Sequence, residues 1–202
     1  MARRIDAEMG PFPPALMRAL EDVPRERFVR ADDEHRAEID APLPLDDSGE
    51  ATVSAPHAYL LSYRLLDLRE GDRLLELGGG SGYGAALAAE VVGARGTVRT
   101  VEIDEALAER ARALLAERPN VRVERGDAAD AAPFFAECNK VVGAFAVHAL
   151  PSAWLDALRP GAVLVAPVGG ATQRLVRVER RASGALETTE HGAVRYVRMR
   201  AP

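Results

Sequence analysis

The fold of this chain follows from residues 73–85, which read RLLELGGGSGYGA. Arg73–Leu77 has the apolar character of a short buried strand, and the alanine-rich stretch Tyr83–Val92 predicts a helix. The glycines between them allow the backbone to turn tightly and to approach a ligand closely. A helix start also presents free N–H groups and a positive dipole end. The stretch therefore predicts a strand, a ligand-binding loop and a helix in succession.

Strand and helix patterns continue to alternate after this unit. Apolar runs predict strands at Thr97–Glu102, Val121–Arg125, Lys140–Ala144 and Ala162–Val168. Helical spacing predicts helices at Glu105–Glu117, with Asp104 as its N-cap, and at Ser152–Leu158. Two β-branched runs, Arg174–Glu179 and Val194–Arg198, flank the Ser183-Gly184 turn and predict an antiparallel pair. The predicted fold class is α/β, a doubly wound Rossmann-like sheet that is mostly parallel with an antiparallel C-terminal edge.

The N-terminal part of the chain has a different character. A short helix is predicted at Pro11–Glu21, whereas residues 31–50 are polar, acidic and contain proline, as an irregular segment lying over a domain would. Apolar residues at helical spacing then predict a helix at Pro56–Leu68. We expect residues 1–50 to form a helix and a covering segment, residues 51–202 to form the ligand-binding domain, and the two to make one compact unit.

Composition argues against several classes of protein. The chain has 202 residues, a net charge of −5, 48% hydrophobic and 28% charged residues, which is ordinary for a globular protein and gives no basic excess for nucleic acid. No apolar run approaches the roughly 20 residues that span a bilayer, and none follows the basic start, so neither a membrane anchor nor a signal peptide is expected. Cys138 is the only cysteine and the four histidines are dispersed, so no disulfide and no metal site is expected. These features predict a cytoplasmic protein and leave its oligomeric state open.

Two acids at the ends of later strands predict the ligand of the glycine loop. Glu102 lies twenty residues after Gly82, at the end of the next strand, where a carboxylate can accept both hydroxyls of a ribose. Asp127 follows the third strand and can accept a hydrogen bond from an adenine amino group, or can instead cap a helix. The loop, the helix start and Glu102 together predict a nucleoside-containing ligand.

Three alternatives are compatible with this loop. Residues 80–85, GSGYGA, match the dinucleotide pattern G-x-G-x-x-A, which is typical of a nicotinamide-dependent oxidoreductase. A glycine-rich turn that binds nothing is a second alternative. Glu76 favours the third, S-adenosylmethionine, because an acid two positions before Gly78 would attract a sulfonium but would repel a pyrophosphate.

One short segment, residues 51–57 (ATVSAPH), narrows the family. It is close to the box Thr-(Ile/Val)-Ser-x-Pro-(His/Tyr) of the protein-L-isoaspartate O-methyltransferases, carboxyl-methylating repair enzymes that the chain resembles over nearly its whole length. Further stretches that resemble this family are residues 23–29 (VPRERFV), 41–45 (APLPL), 75–78 (LELG), 100–104 (TVEID), 126–127 (GD), 158–161 (LRPG), 165–169 (VAPVG) and 192–197 (GAVRYV).

The resemblance implies an S-adenosylmethionine-dependent methyltransferase that acts on the carboxylate of L-isoaspartyl residues in proteins or peptides. It places Ser54 beside the reacting carboxylate as the catalytic residue. The substrate-binding residues that it implies are Ala55, His57, Val194 and Arg195. The residues expected to bind S-adenosylmethionine are Glu76, Gly78, Gly79, Gly80, Ser81, Gly82, Tyr83, Glu102, Ile103, Asp127 and Ala128.

Methylation of a carboxylate suits a site without a general base. An aspartyl-type carboxyl group in a solvated peptide has a pKa of about 3.9 and is ionised at neutral pH, so methyl transfer to it needs positioning and exclusion of water. A hydroxyl such as that of Ser54 can hold one carboxylate oxygen and aim the other. Ser54 could instead be the N-cap of the helix that begins at Pro56, and His57 could be a packed or hydrogen-bonding residue. Residues 143–146, GAFA, lack the Asn/Asp-Pro-Pro-aromatic box of many N-methyltransferases, which disfavours a nucleobase acceptor.

Three departures from the family pattern affect the acceptor more than the donor. Glu50 stands in the neighbourhood where the family usually has Gln, residues 138–140 (CNK) replace its usual Asp, and residues 145–149 (FAVHA) are bulkier than its A-A-A-P run. These departures leave open a family member redirected to a dedicated peptide or small-molecule carboxylate. A nicotinamide-dependent oxidoreductase and a catalytically silent adaptor are the alternatives from other classes.

Overall fold

The structure, a computed structural model, describes residues 1–200. Its helices are α1 (Ala2–Met9), α2 (Pro14–Asp22), α3 (Pro56–Leu66), α4 (Tyr83–Val92), α5 (Glu105–Leu114), α6 (Ala132–Phe135) and α7 (Ser152–Ala157). Its strands are β1 (Leu43–Pro44), β2 (Thr52–Val53), β3 (Arg73–Leu77), β4 (Thr97–Glu102), β5 (Val121–Arg125), β6 (Lys140–Gly143), β7 (Val163–Gly169), β8 (Gln173–Arg180) and β9 (Leu186–Val194). None of the helices within the described residues combines the length and the apolar character that a membrane span requires.

The elements predicted between residues 56 and 180 are all present. Their ends differ from the prediction by three residues or fewer. Asp104 caps α5 as predicted, because its side chain accepts a hydrogen bond from the N–H of Leu107. The helix α6 is an addition to the predicted elements. The alternation of strands and helices after residue 73 could therefore be predicted from apolar periodicity alone.

Seven strands form the main sheet, in the order β5-β4-β3-β6-β7-β8-β9. The strand β3 pairs in parallel with both β4 and β6, whereas β8 and β9 add an antiparallel edge. The strand order reverses between β3 and β6, so the loops after these two strands diverge and leave a crevice at the carboxyl ends of the strands. The predicted doubly wound, mostly parallel sheet with an antiparallel C-terminal edge is confirmed.

The central strand β3 is buried on both faces. Leu74, Leu75 and Leu77 are each 0% exposed. Side chains alternate along a strand, so Leu75 and Leu77 belong to the hydrophobic cluster that contains Trp154, while Leu74 belongs to the cluster of the opposite face. By the same alternation Glu76 lies on the face of Leu74, which α4 covers.

The last strand of the sheet differs from its prediction. The strand β9 covers Leu186–Val194 and pairs with β8 across the Ser183-Gly184 turn, so the expected strand at Val194–Arg198 is wrong. Because β9 is the edge strand, most of its residues are exposed, and polar residues take the place of the apolar alternation on which the prediction relied. Residues 195–200 return toward the end of β6, where Ala146 and Arg198 form a parallel bridge.

The N-terminal segment has more regular structure than predicted. The helix α1 is an addition, and residues 31–50 contain a 3-10 turn at Ala31–Arg36 and the strand β1, which pairs with β2 as a short antiparallel hairpin. The helix α2 packs against α4, and Leu16 shares a hydrophobic cluster with Leu87. Residues 1–50 thus contribute to the core of the main domain as well as covering it.

Candidate active site

A cleft of about 580 Å³ opens beside the glycine loop, at the carboxyl ends of β3, β4, β5 and β6. We call it the donor cleft. It lies where the strand order reverses, the position at which open α/β sheets bind nucleotides. Six of the residues predicted to bind S-adenosylmethionine line it, namely Gly78, Gly80, Glu102, Ile103, Asp127 and Ala128.

Glu102 fastens the glycine loop to the end of β4. Its carboxylate accepts hydrogen bonds from the N–H groups of Gly80, at 2.6 Å, and of Asp104, at 3.0 Å. Gly80 has a φ of 55°, a left-handed conformation, and a Cβ added there would lie 3.1 Å from Leu45 Cδ1. Each carboxylate oxygen has a further lone pair, so Glu102 can hold the loop and still accept the hydroxyls of a ribose.

Asp127 combines the two roles that its sequence position suggests. One of its carboxylate oxygens, Oδ1, accepts a hydrogen bond from the N–H of Ala129 at 2.8 Å and caps a short 3-10 turn. The alternative of a helix cap is therefore confirmed. Asp127 also lines the donor cleft, and the cap uses only one of its two oxygens. Its predicted contact with an adenine amino group remains compatible with the cap.

Four other residues predicted for the donor are absent from the lining of the cleft: Gly79, Ser81, Gly82 and Tyr83. A Cβ added at Gly79 would lie 2.2 Å from Thr100 Oγ1, so the loop is packed directly on β4. Ser81 and Tyr83 are buried. These residues pack against the interior of the protein. Direct contacts between them and the donor stay a prediction.

Glu76 is likewise absent from the lining of the donor cleft. It is 1% exposed, and its Oε2 accepts a hydrogen bond from Thr100 Oγ1 at 2.7 Å. Burial raises the pKa of this carboxyl to about 8, although the Thr100 hydrogen bond acts in the opposite direction. The sequence argument for a sulfonium relied on a negative charge at Glu76, and this rise in pKa weakens it. Its assignment as a donor contact stays a prediction.

A second groove brings together the five residues predicted for the acceptor, namely Ser54, Ala55, His57, Val194 and Arg195. We call it the acceptor groove, and its empty space is about 1440 Å³. Residues 54–57 lead into α3, whereas residues 194–195 follow from the edge strand β9. The acceptor groove shares Thr52 and Val197 with the donor cleft. Ligands in the two sites would therefore be neighbours.

The hydroxyl of Ser54 is not used as a helix cap. The N-cap of α3 is Ala55, without a side-chain cap, so the expectation that Ser54 caps this helix is wrong. Ser54 is instead held through its backbone N–H, which donates to Tyr59 Oη at 3.2 Å. It also lines a small, tightly packed void together with Glu76 and with Ala144, a residue of the donor cleft. Ser54 thus stands between the acceptor groove and the donor cleft.

His57 is both hydrogen-bonded and part of the acceptor groove. Its backbone N–H donates to Asp40 Oδ1 at 3.0 Å, and its Nδ1 lies 3.0 Å from both oxygens of the same carboxylate. The bond at Nδ1 fixes the orientation of the ring and leaves Nε2 available for a ligand. The hydrogen-bonding alternative for His57 is confirmed, and it supports the predicted contact with substrate.

The part of the donor-cleft lining that does not come from the strand ends was missed by the sequence reasoning. It consists of residues 50–52 with Leu45, and of the C-terminal stretch 197–200. Arg200 joins the two, because its Nη2 lies 2.7 Å from Asp46 Oδ2. The alternation of arginine and apolar residues in this stretch gives no signal for such a role, since the contact depends on where β9 ends.

The comparisons with known proteins bear on the identity of this site. A model of the family described as protein-L-isoaspartate(D-aspartate) O-methyltransferase matches residues 12–201. The chain belongs to this family. A protein-L-isoaspartate O-methyltransferase of Archaeoglobus fulgidus is 38% identical over 202 residues, which cover 99% of this chain and 91% of that relative. A second relative, from Ignicoccus hospitalis, is 42% identical over 74% of this chain and 71% of its own length.

Solved structures of the family have the same fold. A protein-L-isoaspartate O-methyltransferase structure aligns with all of this chain and 66% of its own, with a TM-score of 0.88 and 24% identity. A Plasmodium falciparum beta-aspartate methyltransferase, solved in complex with S-adenosyl-L-homocysteine, aligns over 98% of this chain and 96% of its own, with a TM-score of 0.85 and 18% identity. At these identities the likeness shows the fold.

Membership of the family decides between the functional classes left open by the sequence. The protein is an enzyme, a methyltransferase that uses S-adenosylmethionine, as predicted from the glycine loop and the segment at residues 51–57. The nicotinamide-dependent oxidoreductase, suggested by residues 80–85, and the catalytically silent adaptor are set aside. The donor cleft has the features that this cofactor needs, namely two glycines at the loop surface and the acids Glu102 and Asp127 at the ends of neighbouring strands.

Proposed function

We propose that this enzyme transfers a methyl group to the free carboxylate of L-isoaspartyl residues in proteins or peptides. One observation carries the proposal: Ser54 lies in the acceptor groove and, across a small packed void, next to the donor cleft. The segment that contains Ser54 is also the part of the sequence most specific to the family. The relatives that match this chain over most of its length carry the name of the same activity.

The charges of the two sites support an anionic acceptor. No Asp or Glu from residues 1–200 lines the acceptor groove, whereas Arg195 does and is exposed. The donor cleft is lined by three acids, Glu50, Glu102 and Asp127, and by two arginines, Arg198 and Arg200. A carboxylate is therefore favoured in the acceptor groove, whereas the donor cleft offers groups of both signs, which suits a cofactor that carries a sulfonium and a carboxylate.

The residues of the site act by placing and shielding the reacting groups. S-adenosylmethionine supplies an electrophilic methyl group on its sulfonium. Glu102 and Asp127 would hold the nucleoside half of this cofactor, and Gly78 and Gly80 allow it to approach the backbone. Ser54 would donate a hydrogen bond to one oxygen of the acceptor carboxylate and so aim the other oxygen at the methyl group. Because the carboxylate is already ionised at neutral pH, no proton has to be removed.

The bulkiest residue of the stretch 145–149 lies on the donor side. Phe145 lines the donor cleft, and a Cβ at Gly78 would lie 2.6 Å from its Cδ1. It is absent from the residues that line the acceptor groove. The departure that suggested a dedicated biosynthetic carboxylate therefore affects the donor side, which favours the isoaspartyl acceptor over that alternative.

The proposal is tested with methyl-labelled S-adenosylmethionine and two peptides of one sequence, one containing L-isoaspartate and the other L-aspartate. We expect base-labile label, as a methyl ester gives, on the isoaspartyl peptide alone. Measurable binding of S-adenosylhomocysteine without label on either peptide would show that the acceptor is a different carboxylate.

A further inference from the structure

Arg25 is a buried charge that the proposed mechanism does not use. It is 2% exposed, and no carboxylate of the described residues lies within ion-pair distance of it. Burial lowers the pKa of its guanidinium. Because a buried, unpaired arginine is costly, the contacts that compensate it must be specific and well placed.

Those contacts are backbone carbonyls from two separate segments. Nη1 donates to Ala37 and Ile39, at 3.2 and 3.0 Å, and Nη2 donates to Ala41 at 2.7 Å. Nη2 also donates to Val53 and Ser54, at 3.4 and 3.1 Å. The planar guanidinium can bridge so many acceptors because its donors are fixed in one fork.

Both segments carry residues of the acceptor groove or their direct partners. The first, residues 37–41, contains Asp40, which accepts hydrogen bonds from the backbone N–H and the ring Nδ1 of His57. The second ends in Ser54 itself, whose carbonyl is bonded to Arg25. Fixing the guanidinium therefore fixes Ser54 directly, and His57 through Asp40.

We propose that Arg25 is the positioning residue of the acceptor site. It contacts neither the acceptor nor the donor, and it acts by holding Ser54 and the Asp40–His57 pair in one arrangement. The inference depends on the proposed function for the identity of the acceptor, but not for the geometry it describes. None of the hydrogen bonds that Arg25 makes reaches the residues of the donor cleft, so the two sites should respond differently to its loss.

The test is the Arg25→Lys variant, because a lysine ammonium keeps the positive charge but cannot reproduce the planar set of N–H donors of the guanidinium. We expect kcat/KM for the isoaspartyl peptide to fall by about tenfold or more, since several charge-assisted hydrogen bonds are lost. The affinity for S-adenosylhomocysteine should stay within about twofold of the parent, as expected for an independent site. Arg25→Gln should lose more activity than Arg25→Lys. Arg27→Lys, an exposed position of the same 3-10 turn, is the matched control and should change neither quantity.

A second readout does not depend on the acceptor. In the protein without ligand, amide hydrogen exchange should accelerate in a fragment spanning residues 51–58, which contains the bonded N–H groups of Ser54 and His57. Exchange in residues 76–86 should be unchanged. Unaltered exchange at residues 51–58 would overturn the inference. A variant that does not fold would also overturn it, and so would a variant whose affinity for S-adenosylhomocysteine falls in proportion to its turnover. Failure of the parent protein to methylate the peptide would count against the proposed function alone.

Discussion

Ser54 is the side chain to which we assign the largest part in the acceptor chemistry. Its hydroxyl is free of the helix cap, and it stands between the groove and the donor cleft. We expect Ser54→Ala to lower turnover of the isoaspartyl peptide by about 10- to 100-fold, because a hydrogen bond to a charged group is lost. Isothermal titration with S-adenosylhomocysteine should give an unchanged affinity. Ser183→Ala, in the exposed hairpin turn, serves as the control. An equal fall in turnover and in cofactor affinity for Ser54→Ala would show that the role of Ser54 is structural.

Glu76 gives the protein a stability that depends on pH. Its folded pKa is raised from 4.5 to about 8, so the folded state holds the proton more tightly than the unfolded state. Stability from this group is therefore fully present below pH 4.5 and is lost as the pH rises toward 8. Glu76→Gln removes the ionisation and keeps the shape. The Tm of the variant should rise relative to the parent between about pH 5 and 8 and then level off, whereas a constant difference across this range would contradict the assignment.

Single residues also show where sequence reasoning succeeded and where it failed. The segment with Ser54 and His57 has a recognisable local pattern, so the acceptor residues could be predicted together. Arg25 lies in an equally recognisable segment, but its role depends on carbonyls from residues 37–54, and a backbone carbonyl leaves no trace in the sequence. The raised pKa of Glu76 was missed because it is set by burial and not by residue type.

The glycine loop is the structural element that we predict to bind the donor. Gly79 is the position at which the loop packs most closely on β4, since a Cβ there would lie 2.2 Å from Thr100 Oγ1. We expect Gly79→Ala to destabilise the protein by about 1–3 kcal/mol through overpacking and to weaken S-adenosylhomocysteine binding. Gly192→Ala is the control, because nothing lies within 4 Å of its Cβ position. Equal melting temperatures for the two variants would contradict this packing.

Strand β9 shows the limit of pattern-based prediction for an element. The central strand β3 is mostly apolar because both of its faces are covered, and its bounds could be predicted to the residue. The edge strand β9 is mostly exposed, so its sequence carries no comparable pattern, and the prediction shifted it toward Val194–Arg198. The last residues that the prediction assigned to this strand, Val197 and Arg198, instead line the donor cleft.

At the scale of the whole molecule, ion pairs between the C-terminal stretch and earlier parts of the chain close the donor cleft. Arg200 is 2.7 Å from Asp46 and 3.9 Å from both Glu50 and Asp104. We expect Arg200→Ala to weaken S-adenosylhomocysteine binding by about two- to fivefold, chiefly through faster dissociation, and the effect should shrink at high salt because these pairs are partly exposed. Arg181→Ala removes an exposed arginine paired with two acids on the distant hairpin and is the control. Identical dissociation rates for Arg200→Ala and the parent would show that this contact does not close the cleft.

One measurement tests most directly whether the two sites act on an isoaspartyl carboxylate. The donor cleft, the acceptor groove and Ser54 between them suit methyl transfer to a carboxylate that branches from a peptide at an isoaspartyl linkage. The measurement is kcat/KM for two peptides of identical sequence, with isoaspartate or aspartate at one position and S-adenosylmethionine at saturation. A preference of about hundredfold or more for the isoaspartyl peptide is predicted. Equal rates for the two peptides, or no methylation of either by a protein that binds S-adenosylhomocysteine, would contradict it.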